Sequence, residues 1–111
     1  MIDVREYIHG GQKRFSRWFD RLDPNVAVKV TAALERLAEG NKSSVKPVGE
    51  GVSEYRINFG PGYRIYFGQD GELLIILLTG GDKSTQSSDI EKAKSAWSDY
   101  KKRKKEEALK R

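Results

Sequence analysis

The sequence of 111 residues contains no cysteine and only one histidine, His9. Without thiols the protein cannot form disulfides or thiolate metal centres. One imidazole is too few for a zinc site, so we expect no metal and no other cofactor. A single histidine also excludes cleavage chemistry in which one histidine acts as base and a second as acid.

Long hydrophobic runs are also absent. The longest covers six residues, 73–78, whereas a membrane-spanning helix needs about 20. The amino-terminal residues 1–6 carry two acidic side chains, which does not fit a secretory signal. We therefore expect a cytoplasmic protein with no membrane partner.

The net charge of +5 comes from one end of the chain. Residues 100–111 hold seven basic and two acidic side chains, whereas the preceding part is balanced at 14 of each. Any nucleic-acid site on the folded body must therefore come from local clustering and not from bulk charge. The length suits one domain, which we place at residues 1–100, followed by a basic tail at 101–111.

Periodicity in the first half of the chain predicts one strand and two helices. Residues 2–8 alternate as a strand does, and apolar side chains recur at helical spacing over 12–22. Asp23-Pro24 suits the start of a second helix, and Gly40 suits its end. The turn-rich residues 40–51 are predicted to be a loop. The inward face of the second helix is predicted to comprise Ala27, Val30, Leu34, Leu37 and Ala38.

Strands and tight turns dominate the second half until a final helix. The strands are predicted over residues 53–59, 63–68 and 73–78. Gly60-Pro61-Gly62 forms the first turn between them, and Ser88 with Glu91 suits a capping box at the last helix. The order β-α-α-β-β-β-α predicts an α+β domain, with a hairpin of the first two helices and the other helix packed on one face of a mainly antiparallel four-stranded sheet.

Arg56 and Arg64 are the central candidates for chemistry. Pairing the strands about the glycine-proline-glycine turn brings the two guanidiniums close together on one face. Like charges on neighbouring strands are unfavourable unless an anion lies between them. A phosphate suits two such planar donors. The structural alternative is that each arginine pairs with a surface carboxylate such as Glu54 or Asp82.

A second candidate segment is Gly80-Gly81-Asp82-Lys83, between a buried strand and the last helix. Its glycines permit close approach by a ligand. Lys83 can neutralise a phosphate, and Asp82 can orient a base or accept a proton. The alternative is an ordinary strand-to-helix connection. Tyr66 is expected to share the face of Arg64, where its ring can stack on an unpaired base.

Read together, these segments resemble the RelE/ParE toxin superfamily, and specifically its HigB-like branch of addiction-module killer proteins. The resemblance covers about residues 1–100 and rests on the following stretches, taken in order. They are Gly40-Asn41, 46–57 (Lys-Pro-Val-Gly-Glu-Gly-Val-Ser-Glu-Tyr-Arg-Ile), 60–67 (Gly-Pro-Gly-Tyr-Arg-Ile-Tyr-Phe), 80–86 (Gly-Gly-Asp-Lys-Ser-Thr-Gln) and Asp89-Ile90.

The resemblance implies a type II toxin that cuts mRNA on the ribosome without a metal. In such enzymes the ribose 2′-oxygen attacks the adjacent phosphorus, which leaves a 2′,3′-cyclic phosphate and a free 5′-hydroxyl. Arg56 falls where these sites have a lysine, and Arg64 where they have an arginine. Asn58 replaces a second lysine and Ile90 replaces a tyrosine, so the proton-transfer group stays open.

The proton-transfer candidates are Lys83, Asp82 and Tyr66. The RNA-binding candidates are Lys46, Asn58, Tyr63, Gln86, Lys101 and Lys102. The implied partners are the ribosome with its mRNA and a cognate antitoxin, expected to be a small helix-turn-helix protein, with operator DNA bound only through that antitoxin. Two alternatives remain: a ParE-like inhibitor of DNA gyrase, and a non-catalytic module that binds its antitoxin as a co-repressor.

Overall fold

One five-stranded sheet organises the protein, which a computed structural model describes over residues 1–110. The elements are β1 (Asp3–Glu6), α1 (Arg14–Asp20), α2 (Pro24–Ala38), β2 (Val45–Gly49), β3 (Val52–Ile57), β4 (Tyr63–Asp70), β5 (Leu74–Asp82) and α3 (Gln86–Leu109), with a 3-10 turn at Lys83–Thr85. The strand order is β1-β5-β4-β3-β2, in which β1 and β5 are parallel and all other pairs are antiparallel. The predicted α+β class is confirmed, with five strands where four were expected.

The additional strand, β2, lies in the segment predicted to be a loop. It pairs with β3 at the sheet edge, where Pro47 is tolerated because an edge residue can lack a donor. Glu50 and Gly51 connect the two strands with φ of 55° and 84°. Positive φ at both central residues is typical of a type I′ hairpin turn. Turn-forming residues therefore mark a hairpin here and not an open loop.

Helices α1 and α2 cover one face of the sheet, and the predicted boundaries of α2 are confirmed. The Asp23 carboxylate accepts a hydrogen bond of 3.4 Å from the amide of Asn25. At the other end Gly40 has a φ of 83°, and the amide of Asn41 donates to the carbonyl of Arg36 at 2.9 Å. The inward face of α2 is rotated from the predicted one. The residues it buries are Val26, Val30, Ala33 and Leu37.

Helix α3 packs on the opposite face, so the expectation that all helices share one face is wrong. Trp97 anchors it there, because the sheet beneath has Gly51 and Gly68. A Cβ at these positions would lie 2.7 Å and 2.4 Å from the indole. The predicted capping box is also wrong: α3 begins at Gln86, and Ser88 lies inside its first turn.

The residues expected to form a basic tail continue α3 as far as Leu109. Near this end Lys104 forms a salt bridge of 2.6 Å with Asp70, and the Tyr100 hydroxyl donates to the same carboxylate at 2.6 Å. These contacts fix the helix to the β4–β5 turn. No helix within residues 1–110 has the length and apolarity needed to cross a membrane.

Strand β5 contains a bulge that changes which face its later residues occupy. Tyr66 pairs with Thr79 while the next residue, Phe67, pairs with Leu77, so Leu78 is the extra residue. After the bulge Gly80 faces α1, where a Cβ would lie 2.1 Å from Trp18. The next residue, Gly81, faces the other side of the sheet and lies against α3. Because these glycines have no side chain, two helices can pack closely against the strand.

Candidate active site

Two rows of side chains cross the sheet on the face that α3 covers. Arg56 and Arg64 are direct partners in the β3–β4 register, which confirms the pairing predicted about the turn. In the neighbouring row Glu54 pairs with Tyr66. The ends of that row are Lys46 on β2 and Thr79 on β5. Helix α3 starts beside these rows and leaves the two arginines at its amino-terminal end.

Glu54 lies between the two arginines and is almost fully buried, with 1% of its surface exposed. Its Oε1 accepts a hydrogen bond of 2.8 Å from Arg56 Nε, and its Oε2 lies 3.5 Å from Arg64 Nε. Gln86 Nε2 donates to Oε2 at 3.4 Å. The structural alternative is therefore correct for Glu54, which separates two like charges that would otherwise repel.

The arginine–glutamate group keeps binding capacity for an anion. Two guanidiniums face one carboxylate, which leaves one net positive charge. The Arg56 side chain is 44% exposed and that of Arg64 is 12% exposed. Within residues 1–110 the buried Nη1 atom of Arg64 has no hydrogen-bond partner, and its Nε has only the 3.5 Å ion pair with Glu54. A guanidinium with free donors beside an exposed one suits a phosphate.

Lys83 lies next to this group because its backbone is joined to the first turn. The Lys83 amide donates to the Gly62 carbonyl at 3.1 Å. Arg64, Asn58 and Lys83 line a cavity of about 440 Å³ around Gly60-Pro61-Gly62. The structure thus brings the two sequence motifs to one place, with Asn58 at the same concave surface.

Asp82 is a structural cap whose carboxylate is hydrogen-bonded to Ser84 and, within the described residues, forms no salt bridge with Arg56 or Arg64. Its carboxylate accepts hydrogen bonds from the Ser84 amide at 2.8 Å and the Ser84 hydroxyl at 2.5 Å. These bonds hold the pKa of Asp82 below its ordinary value, with Ser84 as the largest cause. A carboxylate with a lowered pKa is poorly suited to take a proton.

Tyr66 is on the predicted face but is 0% exposed, because α3 covers it. The predicted stacking of its ring on an RNA base is therefore wrong. Burial, followed by the charges of the nearby Glu54 and Asp89 carboxylates, raises the pKa of Tyr66 to about 12. Its hydroxyl has no hydrogen-bond partner in the described chain, which leaves a polar atom beneath the arginines.

The RNA-binding candidates separate into three groups. Lys46 is the register partner of Glu54, and Gln86 is hydrogen-bonded to Glu54. Tyr63 packs with the core on the α1–α2 side and faces away from the arginines. Lys101 and Lys102 lie towards the far end of α3. Lys101 lies fifteen positions along the helix from Gln86, or about 23 Å along the axis.

From the sequence Glu54 is predicted only as a surface partner of the arginines, although it is the buried centre of the site. Strand alternation places it on the face of Arg56, but burial depends on α3 crossing that face. Asp89 was missed as a site residue altogether. It is buried and accepts a 2.5 Å hydrogen bond from Thr85 Oγ1, and burial is the largest cause of its raised pKa.

The fold is that of a small α+β protein of RelE-like type. Residues 17–108 match the family described as phage-derived protein Gp49-like (DUF891). Over 81 residues the chain is 43% identical to an uncharacterized protein of Haemophilus influenzae, an alignment that covers 72% of this chain and 82% of that protein. The chain belongs to the Gp49-like family, a toxin-like family of the RelE addiction-module type.

Proposed function

We propose that the protein is the toxin of a type II toxin–antitoxin pair and cuts ribosome-bound mRNA as a metal-independent endoribonuclease. The observation that carries this proposal is the arrangement of Arg56 and Arg64 about Glu54 beside Lys83. This group has one uncompensated guanidinium charge and an adjacent amine at an open surface. Phosphoryl transfer requires positive charge at the phosphorus and a proton donor at the leaving oxygen.

In the proposed reaction the two guanidiniums bind the non-bridging oxygens of the phosphate to be cut. The ribose 2′-oxygen attacks the phosphorus as its proton passes to a solvent water, and the bond to the 5′-oxygen breaks as that oxygen takes up a proton. Negative charge increases on the non-bridging oxygens during this step, so fixed cations stabilise the transition state more than the substrate. Glu54 positions both arginines through its two oxygens.

We assign Lys83 to proton transfer at the departing 5′-oxygen. Of the three candidate groups, Asp82 is bonded to Ser84 and Tyr66 is covered by α3. Lys83 is exposed and shares its cavity with Arg64. A protonated amine at that position can donate to the leaving alkoxide.

An antitoxin partner follows from the same proposal, because toxin-like proteins of this family are expected to be held inactive by a cognate protein. The ribosome as a partner is supported by the exposed cations on the last turns of α3, which can contact rRNA phosphates. These cations are Lys101, Lys102, Arg103 and Lys105.

The test is primer extension on a translated message, with and without ribosomes, beside a gyrase supercoiling assay. We expect cuts with cyclic phosphate ends on translated message only. Arg64→Lys keeps the charge that neutralises Glu54 but loses the planar fork, so cleavage should fall sharply while folding is kept. Exposed Lys42 provides the control, and Lys42→Ala should cut as wild type does. Intact message with inhibited gyrase would overturn the proposal in favour of the ParE-like alternative.

A further inference from the structure

A second basic groove lies on the other side of β5, between α1 and α3. The parallel partner β1 follows β5 only as far as Leu77, where the Tyr7 amide donates its last strand hydrogen bond. Residues 79–82 therefore have a free strand edge on this side. The edge borders a cavity of about 520 Å³. Its principal lining side chains are Arg14, Arg17, Trp18, Arg21, Asp89 and Lys92.

Cations dominate the walls of this groove. Arg14, Arg17 and Arg21 are three and four residues apart, so they share one face of α1. Lys92 faces them from α3. Such a row of like charges disfavours the helix unless an anion compensates it. Among residues 1–110 none of these four cations forms a salt bridge.

The acidic residues of the groove neutralise this row only in part. Asp82 is engaged by Ser84, and Asp89 accepts from Thr85. Four cations against these two acids leave the lining with net positive charge. The buried Arg14 Nε has no hydrogen-bond partner in the part of the chain that the structure describes. The groove is thus organised to receive an anion with several charges.

The groove also has an aromatic wall and main-chain groups that can contact a base. Trp18 forms the wall, and one side of its indole lies against Gly80. In the β4–β5 ladder the Lys83 amide bonds the Gly62 carbonyl. Alternation along an antiparallel pair then directs the amide and carbonyl of Gly80 away from β4, towards the groove. Aromatic faces and main-chain groups are common contacts for unpaired RNA bases.

The groove is continuous with the candidate active site around the end of β5. Gly81 lines the groove and is the register partner of Arg64 on β4. Neighbouring strands are about 4.8 Å apart, so one strand separates the two sets of arginines. An extended polyanion that passes over the end of β5 can contact both.

We propose that this groove binds the single-stranded RNA next to the scissile phosphate, with α1 arginines on its phosphates and Trp18 against a base. This inference rests on the proposed function and extends its substrate site. RNA is favoured over an acidic peptide because phosphates at every residue match the arginine row, and because the aromatic wall suits a base.

The experiment measures binding of an RNA oligonucleotide carrying a 2′-O-methyl group at each ribose, which removes the attacking hydroxyl. Fluorescence anisotropy is recorded over a series of salt concentrations. Arg17→Ala/Arg21→Ala should weaken binding about tenfold at low salt and reduce the salt slope by about 1.4, since each single-strand phosphate contact contributes about 0.7. The matched control Lys42→Ala/Lys110→Ala removes two exposed cations outside both sites and should change neither quantity.

The outcomes separate this inference from the proposed function. Equal salt slopes in the two double variants would overturn the groove assignment even if wild-type protein cuts RNA. Loss of antitoxin binding in Arg17→Ala/Arg21→Ala with an unchanged RNA slope would also overturn it and assign the groove to a protein partner. Wild-type protein that binds the methylated RNA through the groove but cuts no message would support the groove and refute the nuclease.

Discussion

The backbone amide of Lys83 is hydrogen-bonded to the carbonyl of Gly62 at 3.1 Å, which joins the start of the 3-10 turn to the β3–β4 turn. The side chain of Lys83 takes no part in this contact. The position of residue 83 is therefore fixed by main-chain atoms, and its amine is free to act in the cavity it shares with Arg64.

Lys83→Ala should separate these two roles. The variant keeps the amide donor, so we expect its melting temperature to stay within about 2 °C of wild type, as for most surface substitutions. Loss of the proton donor should lower the cleavage rate by a factor of about 100 to 10,000. Single-turnover cleavage beside calorimetry checks both. Lys29→Ala is the control, and a large fall in stability in Lys83→Ala would contradict the assignment.

Glu54→Gln should destabilise the protein because it leaves two paired arginines without their buried anion. Removing one member of a buried ion pair costs about 3 kcal/mol in the free energy of unfolding. Urea denaturation measures this loss. Added inorganic phosphate should restore more stability to Glu54→Gln than to wild type, since an anion can then compensate the unpaired charges of Arg56 and Arg64. Glu50→Gln, at an exposed pair with Lys94, should cost under about 1 kcal/mol. Equal responses of the two variants to phosphate would contradict the proposed anion site.

Gly80→Ala should destabilise the protein by about 1 to 3 kcal/mol, the usual cost of overpacking. The added methyl group would lie 2.1 Å from the Trp18 ring. A smaller side chain at that ring should relieve the clash, so Gly80→Ala/Trp18→Leu should lose less than the two single variants predict together. A double-mutant cycle by urea denaturation measures this coupling. Additive losses would show that the strand does not depend on close contact with Trp18.

Acid should weaken the contact between Asp70 and the end of α3. Hydrogen bonds from Lys104 and Tyr100 hold the pKa of Asp70 below its ordinary value. A carboxylate with a depressed folded-state pKa contributes stability above its unfolded-state pKa, and this is lost as the pH falls through the folded value. Asp70→Asn should therefore lower the melting temperature at pH 7 but have little effect near pH 2. Exposed Asp20 gives the control, for which Asp20→Asn should show no such difference. A loss that is equal at both pH values would point to packing instead.

The pairing of Arg56 with Arg64 could be predicted because a tight turn fixes the register of the strands it joins. The ends of α2 were predictable for a similar reason, since Asp23 and Gly40 act through local backbone geometry. These features depend on residues within a few positions of one another. Local chemistry is what sequence patterns report most directly.

Features set by distant segments could not be predicted in the same way. Glu54 and Tyr66 read as surface residues on an alternating strand, but α3 crosses over them and buries both. The hairpin at Glu50-Gly51 was not predicted, because a proline such as Pro47 is typical of a loop and here lies in an edge strand. The groove of Arg14, Arg17 and Arg21 depends on β1 ending early, and helix periodicity alone does not show that.

Leu78, the extra residue in β5, determines which face of the sheet each of the following strand residues occupies. If Leu78 instead paired regularly with Tyr66, the two faces of residues 79–82 would be exchanged and Lys83 would move by one position, about 3.4 Å, along β4. Thr79 would then point at the α1–α2 core, and Asp82 would pair with Gly62 in place of Tyr63. The bulge in β5 therefore determines whether the amine of Lys83 and the guanidiniums of Arg56 and Arg64 can contact a common substrate.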